Sequence, residues 1–138
     1  MTAPHFLDTN VLLYSISRAP EEVEKRSRAI SLLDRDGGAL SVQVLQEFYV
    51  QATRTTRTDR IAHETAVGLI ECWLRFKVQE ITVAVLSGAL EIKETHRFSY
   101  WDSAILAAAR ALGCREIYSE DMAHGREIEG MIIVNPFR

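Results

Sequence analysis

The chain has 138 residues, of which 47% are hydrophobic and 25% charged, the size and balance of one soluble globular domain. That excludes a disordered, collagenous or coiled-coil chain, and 138 residues can bury about two-thirds of the surface exposed on unfolding. No apolar run approaches the roughly 18 residues of a membrane span, and Met1 to Asp8 carry no basic-then-apolar leader, so a cytoplasmic protein with no membrane partner is expected. The formal net charge of -3 argues against a tight non-specific binder of nucleic acid, unless some carboxylates hold cations.

His5-Phe6-Leu7 is a short apolar run that ends in Asp8-Thr9-Asn10, followed by Val11, Leu12, Leu13 and Tyr14. This predicts a buried strand and then a polar turn able to cap a helix. Arg18-Ala19-Pro20-Glu21-Glu22 opens a second helix, whose Val23, Ile30 and Leu33 share a face and which Asp36-Gly37-Gly38 stops. Ala39-Leu40-Ser41 predicts strand two. Val44, Leu45, Phe48, Tyr49 and Ala52 then recur at helical spacing, as do Ala66, Leu69, Ile70, Trp73 and Leu74.

Val78 to Val83 predicts strand three, and Leu86, Ala89, Leu90 and Lys93 the next helix. Ser99-Tyr100-Trp101-Asp102 starts a helix carrying Ile105, Leu106, Ala109 and Leu112, with Gly113 as its stop. Glu116 to Ser119 and Met131 to Val134 predict strands four and five, the last ended by Asn135-Pro136. Short apolar strands alternating with helices predict one α/β domain over residues 1–138, with a mainly parallel sheet of about five strands covered on both faces.

The cysteines and histidines point away from other chemistry. Cys72 and Cys114 show no CxxC spacing and are expected as reduced thiols. His63-Glu64 does not continue into HExxH, because position 67 is Val, so no zinc site is expected.

Ligands of open parallel sheets bind beyond the carboxyl ends of the strands. Asp8 follows strand one, Glu47 lies in the second turn after strand two, Asp121 follows strand four, and Asp102 begins the helix leading into strand four. Each acid has an ordinary reading. Asp8, Thr9 and Asn10 form an N-cap cluster, Asp102 completes a capping box with Ser99, Glu47 is a solvated helix residue, and Asp121 is loop charge beside Glu120. Together they put four carboxylates on one edge. Crowded carboxylates repel, so some protonate or a cation binds, and an oxygen-only donor set suits Mg²⁺ or Mn²⁺. Setting the four aside leaves 15 acids against 16 basic residues, which lifts the charge objection.

DTNVLLY after the first strand, the Glu in the helix after strand two, YWDSAILAAA and YSEDMAHG…IVNPF together resemble the PIN-domain family, nearest to the VapC-type toxin ribonucleases of toxin–antitoxin pairs. The resemblance runs from Phe6 to Phe137. It implies a three-layer α/β/α sandwich and Mg²⁺- or Mn²⁺-dependent cleavage of RNA, together with frequent homodimers and inhibition by a cognate antitoxin protein. Matched by motif, Asp8, Glu47, Asp102 and Asp121 correspond to the family's four metal-binding acids, and Asn10 and Ser119 to supporting polar positions. Glu120 directly precedes Asp121; the S-x-D pattern favours Asp121, and whether Glu120 shares that role stays open, as does the choice between one ion and two. Arg54, Arg57 and Arg60 recur every third residue beyond the Glu47 helix and are candidate contacts for RNA or antitoxin; a solvated helix end whose charges suit the helix dipole is an equally good reading. Tyr14, Tyr100 and Trp101 are candidate base-stacking side chains at the rim, with core or dimer packing the favoured role for Trp101. Two other readings accompany this one: a PIN-like module that binds RNA or a partner without turnover, and, more distantly, a signalling receiver domain.

Overall fold

The computed structural model describes residues 3–138; Met1 and Thr2, which the sequence reading counts in the N-terminal segment and in the domain, lie outside it. Six strands form one sheet: β1 (His5–Leu7), β2 (Gly38–Ser41), β3 (Lys77–Gln79), β4 (Glu116–Tyr118), β5 (Glu127–Ile128) and β6 (Met131–Val134), in the order β3-β2-β1-β4-β6-β5. All neighbours pair parallel except β5 with β6. The helices are α1 (Thr9–Ser15), α2 (Val23–Asp34), α3 (Val42–Ala52), α4 (His63–Trp73), α5 (Val83–His96) and α6 (Tyr100–Ala111).

The chain steps from β1 to β2 to β3 in one direction and then crosses back to β4. Right-handed crossovers therefore put α1 to α4 on one face of the sheet and α5 with α6 on the other, giving the three-layer sandwich. The direction of winding reverses between β1 and β4, so the crevice at their carboxyl ends is where such folds take ligands. β1 and β2 are buried at every residue, as central parallel strands must be. Phe6 sits in register with Ala39 on one side and Ile117 on the other, which fixes where each strand ends.

The face of α3 follows the predicted spacing, with Val44, Leu45, Phe48 and Ala52 buried. Phe48 meets the Trp73 ring edge-on at 4.7 Å between centroids, and burying side chains of this size contributes about 1.5–3 kcal/mol each. Gly88 of α5 lies against α6, where an added Cβ would stand 3.4 Å from the Ala107 Cβ and 2.6 Å from an Arg110 nitrogen. No helix among the described residues is long and apolar enough to cross a membrane, and both Cys72 (exposed) and Cys114 (buried) are free thiols.

Four sequence expectations are corrected. The sheet has six strands, because Glu127–Ile128 folds back on β6 through Glu129 and Gly130, both at positive φ (50° and 87°). That is the backbone of a two-residue hairpin turn whose usual sequence is Asn-Gly rather than Glu-Gly. Strand three stops at Gln79 instead of running to Val83, since the Thr82 hydroxyl accepts from the Val85 N–H at 3.1 Å and caps α5. In α2 a 3₁₀ turn at Pro20–Glu22 precedes the helix and the buried face is Ala29, Leu32 and Leu33, with Val23 63% exposed. In α5 the buried residues are Gly88, Ala89 and Ile92, while Leu86 and Leu90 are exposed.

Candidate active site

Asp8 begins α1 directly where β1 ends, and its backbone N–H donates to the Tyr118 carbonyl at 3.0 Å, carrying the β1–β4 pairing one step into the crevice. Its side chain is the N-cap of α1. Oδ1 accepts the Thr9 N–H at 2.7 Å and Oδ2 accepts the Ser119 hydroxyl at 2.7 Å. The carboxyl is buried, and burial pushes it up to about 6, against the two hydrogen bonds and with the charges of Glu47 and Asp102 adding to the rise. Capping alone gains nothing from such burial; an exposed Asp caps as well and stays ionised.

Thr9 ties the next acid in. Its hydroxyl donates to Glu47 Oε1 at 2.7 Å, while Gln43, one turn earlier on α3, donates to Glu47 Oε2 at 3.3 Å. The same Gln43 amide reaches the Trp101 carbonyl at 3.2 Å, which links α3 to the first turn of α6. There Ser99 caps the helix by accepting the Asp102 N–H at 3.1 Å. The Asp102 carboxyl is also raised, by burial first and then by the charges of Glu47 and Asp121 against the Ser99 hydrogen bond. Asp121 is exposed, and its Oδ2 accepts from the Asn10 amide at 3.4 Å.

Asp8 thus feels the charges of Glu47 and Asp102, and Asp102 those of Glu47 and Asp121, with Ser119 bonded to Asp8 and Asn10 to Asp121. Thr9 and Gln43 are additional members that the sequence reading did not assign. Thr9 was legible only as part of the cap, and Gln43 only from its position four residues before Glu47 on one helix face. Among the described residues no three His, Cys, Asp or Glu side chains already converge at ligating distance. The donor set fits a hard divalent cation in chemistry: it is all oxygen, and burial raises the proton affinity of Asp8 and Asp102, a penalty on their charge that a bound cation offsets.

Glu120 points elsewhere. Its carboxylate accepts from the Tyr14 hydroxyl at 2.5 Å and from Lys25 Nζ at 2.6 Å. Burial pushes Glu120 up, and Lys25 and Tyr14 together pull it below its ordinary value. Tyr14 also packs edge-on to Phe137 at 4.8 Å, so it is engaged inside the protein.

The three arginines separate too. Arg57 bonds Asp59 at 3.0 Å, whereas Arg54 and Arg60 are exposed. All three lie past the end of α3, before α4; Arg54 directly follows the α3 C-cap Thr53, at the negative end of that helix's dipole, whereas Arg57 and Arg60 lie further along the irregular stretch. Trp101 is 64% exposed, which removes the expected core role.

The family model described as PIN domain matches residues 5–126. No curated protein sequence matches the chain. Among solved structures, a toxin–antitoxin complex from Klebsiella pneumoniae is similar over 99% of this chain and 98% of that one, at 18% identity and a TM-score of 0.71. VapC20 of Mycobacterium tuberculosis, a toxin that cleaves the sarcin–ricin loop, is similar over 85% and 89%, at 21% identity and a TM-score of 0.66. DNA-bound VapBC from Salmonella typhimurium is similar over 96% and 97%, at 20% identity and a TM-score of 0.63. The match of the family model across nearly the whole α/β/α sandwich makes this chain a member of the PIN domain family.

Proposed function

We propose that this chain is a divalent-metal-dependent endoribonuclease and the toxin of a toxin–antitoxin pair. The observation that carries the reading is Asp8, a buried carboxyl at the crevice between β1 and β4 that feels the charges of Glu47 and Asp102. A fold gains no stability from that arrangement, whereas a cation does. Asp8, Glu47, Asp102 and Asp121 would hold Mg²⁺ or Mn²⁺, and the ion supplies Lewis acidity toward water and a phosphodiester.

The chain's own residues prepare the site. Ser119 and the Thr9 N–H fix both oxygens of Asp8 and favour its ionised form, and Thr9 and Gln43 fix Glu47. Asn10 bonds both the Asp121 carboxylate and the Glu120 N–H, so the loop after β4 is held to the start of α1. Lys25 pairs the charge of Glu120 and the Tyr14 hydroxyl donates to it, which keeps that charge out of the cluster. In hydrolysis a carboxylate would take a proton from a positioned water as the water oxygen bonds to phosphorus, and the P–O ester bond would break to an alkoxide that solvent protonates. Among solved structures of similar fold, a toxin–antitoxin complex supports a cognate antitoxin as partner, and a toxin that cleaves the sarcin–ricin loop supports RNA as substrate; on the same proposal the protein acts in the cytoplasm as a homodimer.

The test is incubation of total RNA with the protein in Mg²⁺ or Mn²⁺, beside an EDTA control and Asp8→Asn. Cleavage that needs the ion and is lost in a folded Asp8→Asn protein is the expected result. Metal binding without cleavage of any RNA replaces the enzyme with a binding module.

A further inference from the structure

A helix stripe on α3 is left over once the acids are accounted for. Gln43, Gln46, Glu47, Val50, Gln51 and Arg54 follow one another at spacings of three, one, three, one and three, the positions of a single helical face running to just past the end of α3. With Trp101 they line a cleft of about 370 Å³. Trp101 is 64% exposed and Val50 56%. Among the described residues, the side chains of Gln46, Gln51 and Arg54 make no hydrogen bond or ion pair within the protein, whereas Gln43 is committed to Glu47 and to the Trp101 carbonyl. Glu47 belongs to this cleft and to the acidic cluster alike, so the two sites are continuous.

We infer that this cleft is a subsite for an unpaired RNA nucleotide beside the bond to be cut, with the base stacked on Trp101. The inference rests on the ribonuclease reading above and names how its substrate is held. The chemistry fits a nucleotide part by part. An exposed indole offers a π face that any base can stack on. The uncommitted Gln46 and Gln51 amides each carry both donors and an acceptor, as the edge of a base requires. Arg54 supplies a permanent cation for a flanking phosphate. Trp101 also lines a second cleft, with Ile81, Val83 and Leu86, where no Lys or Arg contributes to the lining; a phosphodiester has no counter-charge there. A duplex cannot lay a base flat against a side chain that projects from a helix's first turn, so the subsite selects single-stranded segments.

The only tryptophans are Trp73 and Trp101, and Trp73 is buried at 5% exposure, so quenching of exposed indole emission reports Trp101. The probe is a ten-nucleotide single-stranded RNA, with a duplex of the same length beside it, both titrated in Ca²⁺ in place of Mg²⁺. The single strand is expected to quench the emission and the duplex not. Trp101→Leu is expected to weaken single-strand binding between about 5- and 150-fold, the span that one base–aromatic stack covers, with Trp101→Phe intermediate. Arg54→Gln is expected to lower affinity and to reduce the slope of log K against log salt by about 1. In Mg²⁺, mapped cut ends of Trp101→Leu are expected to lose base preference at one position next to the cut.

Cleavage by the wild type with single-strand affinity and cut-site preference both unchanged in Trp101→Leu overturns the subsite and leaves the ribonuclease reading intact. A shift of Trp101→Leu from dimer to monomer by light scattering, with RNA affinity per protomer unchanged, also overturns it and makes Trp101 a protein contact. Absence of cleavage by wild type on any RNA defeats the ribonuclease reading, and the subsite with it.

Discussion

Replacing Asp8 by Asn should stabilise the metal-free protein while destroying its site. Folding raises the Asp8 carboxyl from 3.8 to about 6, so the folded state holds that proton more tightly than the unfolded chain. The resulting stability is fully present below pH 3.8 and is lost as pH rises through 6. At about 1.4 kcal/mol per unit, the charged Asp8 costs the metal-free fold about 3 kcal/mol at pH 7.5 and about 1 kcal/mol at pH 4.5. Asn keeps an acceptor for the Thr9 N–H but gives up one for the Ser119 hydroxyl, a loss of about 1 kcal/mol. The net gain is about 2 kcal/mol at pH 7.5, a rise in Tm of about 5–8 °C, and close to zero at pH 4.5.

Thermal unfolding of both proteins in EDTA at the two pH values measures this directly. With Mn²⁺ at a hundred times its dissociation constant the order reverses, because the wild type gains about 2.7 kcal/mol and the variant, lacking the ligand, gains none. A variant less stable than wild type at pH 7.5, or a shift of equal size at both pH values, refutes the reasoning.

Three further outcomes are expected. Thr9→Val removes the hydroxyl that holds Glu47; it should cost about 1 kcal/mol of stability and weaken Mn²⁺ binding measured by calorimetry. Glu120→Gln should keep ion binding and RNA cleavage, since Glu120 is engaged by Lys25 and Tyr14, whereas Asp121→Asn should lose both; cleavage rates of the two separate the neighbours. Trp73→Ala removes the ring packed on Phe48 and should lower unfolding free energy in urea by about 3–5 kcal/mol.

The fold was legible wherever burial is two-sided or a cap has its usual residue. His5 to Leu7 and Ala39 to Ser41 read as strands because central parallel strands are buried on both faces, and Met131 to Val134 because its run is apolar, although Ile132 is 40% exposed. Val44, Leu45, Phe48 and Ala52 read as a helix face because nothing else competes for them. What escaped was set by tertiary contacts or by unusual turn chemistry. Glu129 takes a left-handed backbone that Asn or Gly would ordinarily fill, and its carboxylate is held by Arg110 and by His96, neither of which is near it in sequence. Val23, Leu86 and Leu90 fit an apolar period yet are exposed; in α5 the close approach of α6 at Gly88 turns the buried face to Gly88, Ala89 and Ile92.

The four acids of the proposed site were legible by motif and by topology: Asp8 and Asp121 follow β1 and β4, whereas Glu47 lies on α3 and Asp102 in the first turn of α6. The partners of those acids were less so. Thr9 reads as a cap until Glu47 is seen beside it across 38 positions, and the local S-x-D pattern that favours Asp121 over Glu120 does not reveal Lys25, 95 positions away, as the partner that draws Glu120 aside. Charge alone was misleading in the other direction: three evenly spaced arginines suggested one basic strip, but Arg57 is spent on Asp59.

The most direct test of the four-carboxylate centre is an anomalous-scattering map from crystals grown with Mn²⁺. The account predicts a manganese peak bounded by Asp8, Glu47, Asp102 and Asp121 in the wild type and none there in Asp8→Asn crystals of the same form. No peak among these acids at saturating Mn²⁺, or a peak that survives in Asp8→Asn, would contradict it.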